Sequence, residues 1–227
     1  FGFSVSQSAN ILAVGARQAA PDGLNNAGAA YLYELESNGS ATYLTKVTAP
    51  DKSAHDRFGH EVSQSGNILA VGAITSDPDG LYEAGAAYIY QLESNGSATY
   101  LTKVTATDKA VGEKFGHSVS QSANILAVGA ISSDPEGVIN AGATYLYQLE
   151  SNGTATFLTK VIAPDKSADD HFGWSVSQSG NILTVGVKNS DPDRLSAAGA
   201  AYTFDISKFS NFNTPPSNLA SIAPLTI

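Results

Sequence analysis

Apolar and polar positions recur in a fixed order along this chain. From Phe58, His60–Ser65 alternates, with Val62 on one side and Glu61 and Ser63 on the other. Gln64–Asn67 supplies a tight turn, and Ile68–Ala73 follows as a short apolar run. A run of that length, bounded by turn signals, predicts a buried strand. A polar loop over Thr75–Ala84 leads into Gly85–Leu92, which alternates with Tyr88 and Tyr90 on one side. Asn95-Gly96 marks a two-residue hairpin, because both residues tolerate positive φ. Ala98–Val104 is β-branched and aromatic and predicts a fourth strand. No stretch carries a helical period of 3.6.

The same order opens again at Phe1, Phe115 and Phe172, a period of 57 residues without insertion. The second and third copies agree at about two-thirds of their positions. A fixed period of this size means a stacked or radial array. Four antiparallel strands per repeat make one blade of a β-propeller, and a single blade cannot bury both its faces. Small residues in Ala70–Ala73 and Ala84–Ala87 suit places where neighbouring sheets approach closely. The fold class is therefore all-β: a β-propeller of four-stranded antiparallel blades over residues 1–57, 58–114, 115–171 and 172–207.

The last copy departs from the others. Where strand four belongs it has Phe212–Asn218 with Pro215 and Pro216, which cannot serve an inner ladder. The last blade is expected to lack its own fourth strand, with residues preceding Phe1 completing it in a closed ring. Residues 208–227, with Pro224 as well, read as a linker or tail.

Composition narrows the function classes. A formal net charge of −9 argues against nucleic acid and anionic membranes as partners. The absence of Cys removes disulfides, thiolate metal sites and a Cys nucleophile. Hydrophobic content of 42% suffices for a core. No apolar run approaches the roughly 20 residues of a membrane helix.

Phe-Gly, then Val-Gly-Ala, then the Ala-Gly-Ala-Ala-Tyr stretch resembles the FG-GAP repeat in all four copies. That family builds the propeller head of integrin alpha chains and many bacterial surface proteins, usually with seven blades in integrins. The resemblance implies a secreted or surface-anchored adhesion or recognition protein. Two departures matter. Arg17, Ile74, Ile131 and Lys188 stand where the family motif has proline. The turn between the first two strands, Gln-Ser-Ala-Asn or Gln-Ser-Gly-Asn, holds no carboxylate, so the integrin calcium loop does not carry over. The chain resembles the subclass without that loop.

Candidate chemistry gathers on two connections. Asp77-Pro78-Asp79-Gly80, Asp134-Pro135-Glu136-Gly137 and Asp191-Pro192-Asp193 recur between strands two and three. Strand alternation puts them on the same end as the strand-four-to-one loops, with Asp51, Asp56, Asp108, Glu113, Asp165, Asp169 and Asp170. Carboxylates from two loops suit a hard ion, and Ca²⁺ is the candidate for Asp77, Asp79, Asp134, Glu136, Asp191 and Asp193. The competing reading is a β-turn, with Pro fixing φ, Asp capping and Gly closing. No cofactor is required by either.

Phe3, His60, His117 and Trp174 share one position at the start of the innermost strand. They form either a ring suited to a sugar or peptide, or packing between blades. The tyrosine pairs, such as Tyr88 with Tyr90, fit packing. Three Asn-Gly-Ser/Thr sequons coincide with the hairpin turns, which explain them. No Ser-His-Asp set appears, and the blades present nearly the same loops, so catalysis is not expected. The expectation is a non-catalytic extracellular domain binding a protein or glycan, centred on Asp51, Asp56, Asp77, Asp79, Tyr82 and their equivalents. The alternatives are a propeller lectin with repeated pockets and a structural spacer.

Overall fold

The computed structural model describes residues 1–191, 197–209 and 221–225. Sixteen strands form four antiparallel four-stranded sheets in simple sequence order. The first holds β1 (Val5–Ser8), β2 (Ile11–Ala16), β3 (Ala29–Leu35) and β4 (Ala41–Val47). The second holds β5 (Phe58–Ser65), β6 (Ile68–Ala73), β7 (Ala86–Leu92) and β8 (Ala98–Val104). The third holds β9 (Phe115–Ser122), β10 (Ile125–Ala130), β11 (Ala143–Leu149) and β12 (Ala155–Val161). The fourth holds β13 (Phe172–Ser179), β14 (Ile182–Val187), β15 (Ala200–Asp205) and β16 (Ser221–Leu225). These are the four-stranded blades expected from the repeat.

The core lies between blades. Ala13, Ala30, Leu32 and Val47 on the trailing face of blade one meet Phe58, Val62, Leu69, Val71, Tyr88 and Tyr90 on the leading face of blade two. Equivalent layers fill the next two seams. Phe58, Phe115 and Phe172 are fully buried there, each stabilising its seam by roughly 1.5–3 kcal/mol. Polar stitching repeats with the packing. The Oγ of Ser6, Ser63 and Ser120 accepts the backbone N–H of Gln64, Gln121 and Gln178, each at 2.9 Å. Backbones approach so closely that only glycine fits. A Cβ on Gly72 would lie 2.1 Å from the carbonyl oxygen of Gly116.

Blades pack in sequence, and among the described residues no comparable packing joins the first sheet to the fourth.

The last blade differs from expectation in one way. Residues 212–218 lie outside the described residues, so the proline-bearing stretch that replaces the repeat's own fourth strand is not seen. Its edge position is taken by β16, from the segment expected to be a linker, paired antiparallel with β15. The open edge of β15 offers unpaired backbone groups to any extended segment. Pro224 is tolerated in β16 because an edge strand has one side free of ladder bonds.

Candidate recognition face

At one end of the first three blades the connection between strands two and three carries a single 3-10 turn: Pro21–Gly23, Pro78–Gly80 and Pro135–Gly137. Each connection is laced to the four-to-one loop that enters the next blade. Gly112, Lys114 and Phe115 donate their backbone N–H groups to the carbonyls of Tyr82, Glu83 and Ala84, at 2.9, 3.2 and 2.9 Å. The neighbouring seams repeat this lacing, with Asp169 N–H on Ile139 and His55 N–H on Asn25. The two loop types thus form one continuous surface.

The acidic residues hold that surface together. Asp77 Oδ1 accepts the N–H of Glu83 at 2.6 Å, and Asp134 Oδ1 accepts that of Asn140 at 2.6 Å. Asp191 accepts the N–H of Ala197 in the same way. Asp79 pairs with Lys109 at 3.1 Å and Glu136 with Lys166 at 2.8 Å. Asp51 accepts from Tyr88 Oη and Lys103 Nζ, both at 2.8 Å. Asp108 accepts from Tyr145 Oη at 2.7 Å and Lys160 Nζ at 2.9 Å. These donors outweigh desolvation and hold both carboxyls below the usual range.

Asp56 and Glu113 are buried, contrary to a place at the centre of an exposed face. Asp56 Oδ2 accepts the N–H of Ser53 at 2.6 Å and closes its loop from inside. Burial, with Asp51 and Asp77 nearby, pushes its carboxyl up to about 6. Burial likewise raises Glu113 and Asp170. Asp193 lies outside the described residues. Among the described residues no three His, Asp or Glu side chains converge as a metal site needs. The donors to Asp77, Asp79, Asp134, Glu136 and Asp191 favour the turn reading over a Ca²⁺ cage.

Phe3, His60, His117 and Trp174 do come together, as a stacked row rather than an open ring. Successive ring centroids lie 4.9, 5.0 and 4.6 Å apart. Arg17 covers Phe3 at 3.6 Å and Lys188 covers Trp174 at 4.0 Å, so cations cap the two exposed ends of the row. At the same position the inner blades have Ile74 and Ile131, both buried. Arg17 Nη1 lies 3.3 Å from His60 Nδ1, which a neutral imidazole accepts. Burial, then neighbouring cations and imidazole, pushes His60 down to about 3. Burial pushes His117 down to about 4.

Three apolar side chains stand exposed on this end. Tyr82, Val111 and Ile139 are 62%, 64% and 62% exposed. Tyr82 was legible from its loop, and Ile139 is its equivalent in the next blade; Val111 was not singled out by motif. A signal for them exists in the copies themselves. Position 25 of the repeat reads Asn25, Tyr82, Ile139, and position 54 reads Ala54, Val111, Ala168. Most differences between copies two and three fall at this end. The opposite end keeps Gln-Ser-Ala/Gly-Asn and Glu-Ser-Asn-Gly nearly unchanged.

That opposite end carries inter-blade clefts. One of about 720 Å³ is lined by Asn10, Leu44, Asn67, Gln91 and Ser94, among others. Its counterpart at the next seam, about 490 Å³, is lined by the equivalent Asn67, Leu101, Asn124, Gln148 and Ser151.

A sequence-ordered stack of four-stranded antiparallel sheets, packed face to face through a repeated Phe-Gly step, defines a propeller-type repeat domain. The FG-GAP repeat model matches residues 1–33, 42–90, 99–147 and 156–204. The chain belongs to the FG-GAP repeat family, which marks it as a recognition- or adhesion-type domain. No curated protein matches it.

Proposed function

We propose that this chain is a non-catalytic recognition domain of a secreted or cell-surface protein. It takes a protein or glycan partner on the end built from the two-to-three and four-to-one loops. The observation that carries this is the contrast between frame and tips. The first three copies keep one loop frame, with the same 3-10 turn and backbone lacing, yet differ where Tyr82, Val111 and Ile139 stand exposed. Rigid loops with variable exposed tips are a common basis for binding. Exposed aromatic and aliphatic groups beside charged rims suit a protein surface or a sugar face. The loop carboxylates already have partners, so binding without calcium is expected, as is the absence of an acid–base pair for catalysis.

A second reading has its own observation. Equivalent clefts recur at two seams on the opposite end, lined by Asn and Gln side chains beside leucines. Repeated small sites of that kind fit a lectin binding several sugars weakly.

The test is a screen of the folded chain against immobilised glycans and extracellular proteins, in calcium and again with chelator. Saturable binding that survives chelator and is lost in Tyr82→Ser/Ile139→Ser supports the loop-face reading. Sugar binding lost instead in Ser94→Trp/Ser151→Trp, which fill the clefts, supports the lectin. Loss of binding with chelator sinks the calcium-free account. No binding at all leaves a spacer.

A further inference from the structure

Charge on the loop end is segregated. The lysines of its outer loops are paired: Lys52 with Asp22 at 3.1 Å, Lys109 with Asp79 at 3.1 Å and Lys166 with Glu136 at 2.8 Å. The inner edge, where β5, β9 and β13 begin, is different. Arg57, Lys114 and His171 stand immediately before Phe58, Phe115 and Phe172, one basic residue per seam. Among the described residues neither Arg57 nor Lys114 has a carboxylate within ion-pair distance. Arg57 is exposed and Lys114 half-buried.

Their surroundings carry the same sign. The charge of Arg57 reaches Arg17, His60 and Tyr82. That of Lys114, with Lys188, reaches His117. Glu61 is the one acidic residue on β5, β9 and β13, and it does not neutralise them. Its Oε1 accepts Ser4 Oγ at 2.8 Å, and burial raises its carboxyl. Like charges gathered without a counter-charge repel one another. They are gathered here in a chain whose formal net charge is −9. Arg57, Lys114 and His171 have φ of 58°, 58° and 60°, which glycine or asparagine adopts more easily. Turn geometry therefore does not explain a basic residue at this position in each seam.

We infer that this inner edge binds an acidic polysaccharide, with its sulfate or carboxylate groups on Arg57 and Lys114 and a sugar face on the Tyr82 ring. The inference rests on the loop-face reading, whose ligand class it names. An acidic polysaccharide carries anionic groups at regular intervals, and the edge offers one basic residue per blade. The stacked row that begins three residues further on holds the blades at fixed spacing there, with His60 to His117 at 5.0 Å and His117 to Trp174 at 4.6 Å. Tyr82, exposed and within reach of the Arg57 charge, supplies a flat apolar face for a sugar ring. An acidic peptide has neither regular charge nor such a ring. Two free cations are far fewer than the phosphate contacts of a nucleic-acid binder.

Isothermal titration calorimetry of the 1–227 chain with dextran sulfate and with polygalacturonate tests this and tells sulfate from carboxylate. The expected result is saturable binding to one or both, weakened as salt rises, and none to uncharged dextran. Arg57→Gln/Lys114→Gln is expected to weaken it at least ~10-fold with thermal unfolding unchanged. Lys52→Gln/Lys109→Gln removes the same charge from the outer loops and is expected to change it by less than about 2-fold. No binding to either polysaccharide, equal losses in the two variants, or polyglutamate bound as tightly would each overturn the inference. So would a screened partner that needs Tyr82 and Ile139 yet binds Arg57→Gln/Lys114→Gln at full strength, a result that leaves the loop-face reading standing. Polysaccharide binding lost in Arg57→Gln/Lys114→Gln but kept in Tyr82→Ser/Ile139→Ser supports the cationic edge and sinks recognition by the tips.

Discussion

Single residues on the loop end do structural chemistry that the sequence left open beside a ligand role. An Asp-Pro-Asp-Gly turn looks the same in sequence whether its carboxylates face an ion or a backbone N–H. Only the fold shows Asp77 on Glu83 N–H and Asp79 on Lys109. The tyrosine pairs were legible as packing, but the reach of Tyr88 Oη to Asp51 was not, since the two lie 37 residues apart. Tyr88→Phe is expected to destabilise the chain by about 1.5–3 kcal/mol, the range for a hydrogen bond to a charged group, measured by urea unfolding.

Titration gives a second check at this scale. His60 is held neutral down to about 3 in the folded chain, whereas the unfolded side chain takes a proton near 6.5. The unfolded state therefore binds more protons below that point, and stability is lost as pH falls through it. His60→Phe, which installs the residue of blade one, is expected to remove up to about 2 kcal/mol of the loss between pH 7 and pH 5. Asp56 works in the opposite direction. Its carboxyl, raised to about 6, is protonated more readily in the folded state. Its contribution is full below the unfolded value near 3.9 and is lost as pH rises through about 6. Asp56→Asn is expected to make the acid-side loss steeper, read from the same unfolding series.

At the scale of elements, the hydrophobic pattern and the Asn-Gly turns carried nearly all the information. Alternation around Val62, the apolar run at Ile68–Ala73 and the Tyr88/Tyr90 pair became β5, β6 and β7 in the expected order. The strand β16 was hidden because its pairing depends on the free edge of β15, and Pro215 and Pro216 argued for a linker. The role of the glycines was only partly legible: small residues signalled close approach, but not which carbonyl they meet. Gly72→Ala drives a Cβ onto the Gly116 backbone, so a loss of about 3 kcal/mol or more is expected. Gly2→Ala occupies the equivalent of Gly59, yet nothing lies within 4 Å of it. There only the positive φ matters, and a cost of about 1–2 kcal/mol is expected. Thermal unfolding of the two variants side by side measures the difference between a filled seam and an open one.

For the whole molecule, repetition made architecture plain and function obscure. Four copies of one repeat specify the seams so strongly that the Phe-Gly motif dominates any reading of the sequence. The proposed binding signal is the set of positions where copies disagree, and disagreement gains meaning only once the fold puts those positions on one end. His60 and His117 also vary from copy to copy, yet they serve as inner layers of a stacked row. Exposure separates the two cases, and exposure is a property of the packed blades.

If the frame is shared and the loop tips recognise, the tips can be exchanged without disturbing the frame. Tyr82→Asn, Val111→Ala and Ile139→Asn together give blades two and three the tip residues that blade one already carries. The measurement is equilibrium binding of this triple variant to the partner found by screening, with thermal unfolding recorded on the same samples. The expected result is binding weakened at least ~10-fold with the unfolding temperature moved by no more than about 2 °C. Binding retained at full strength by a folded triple variant would contradict it.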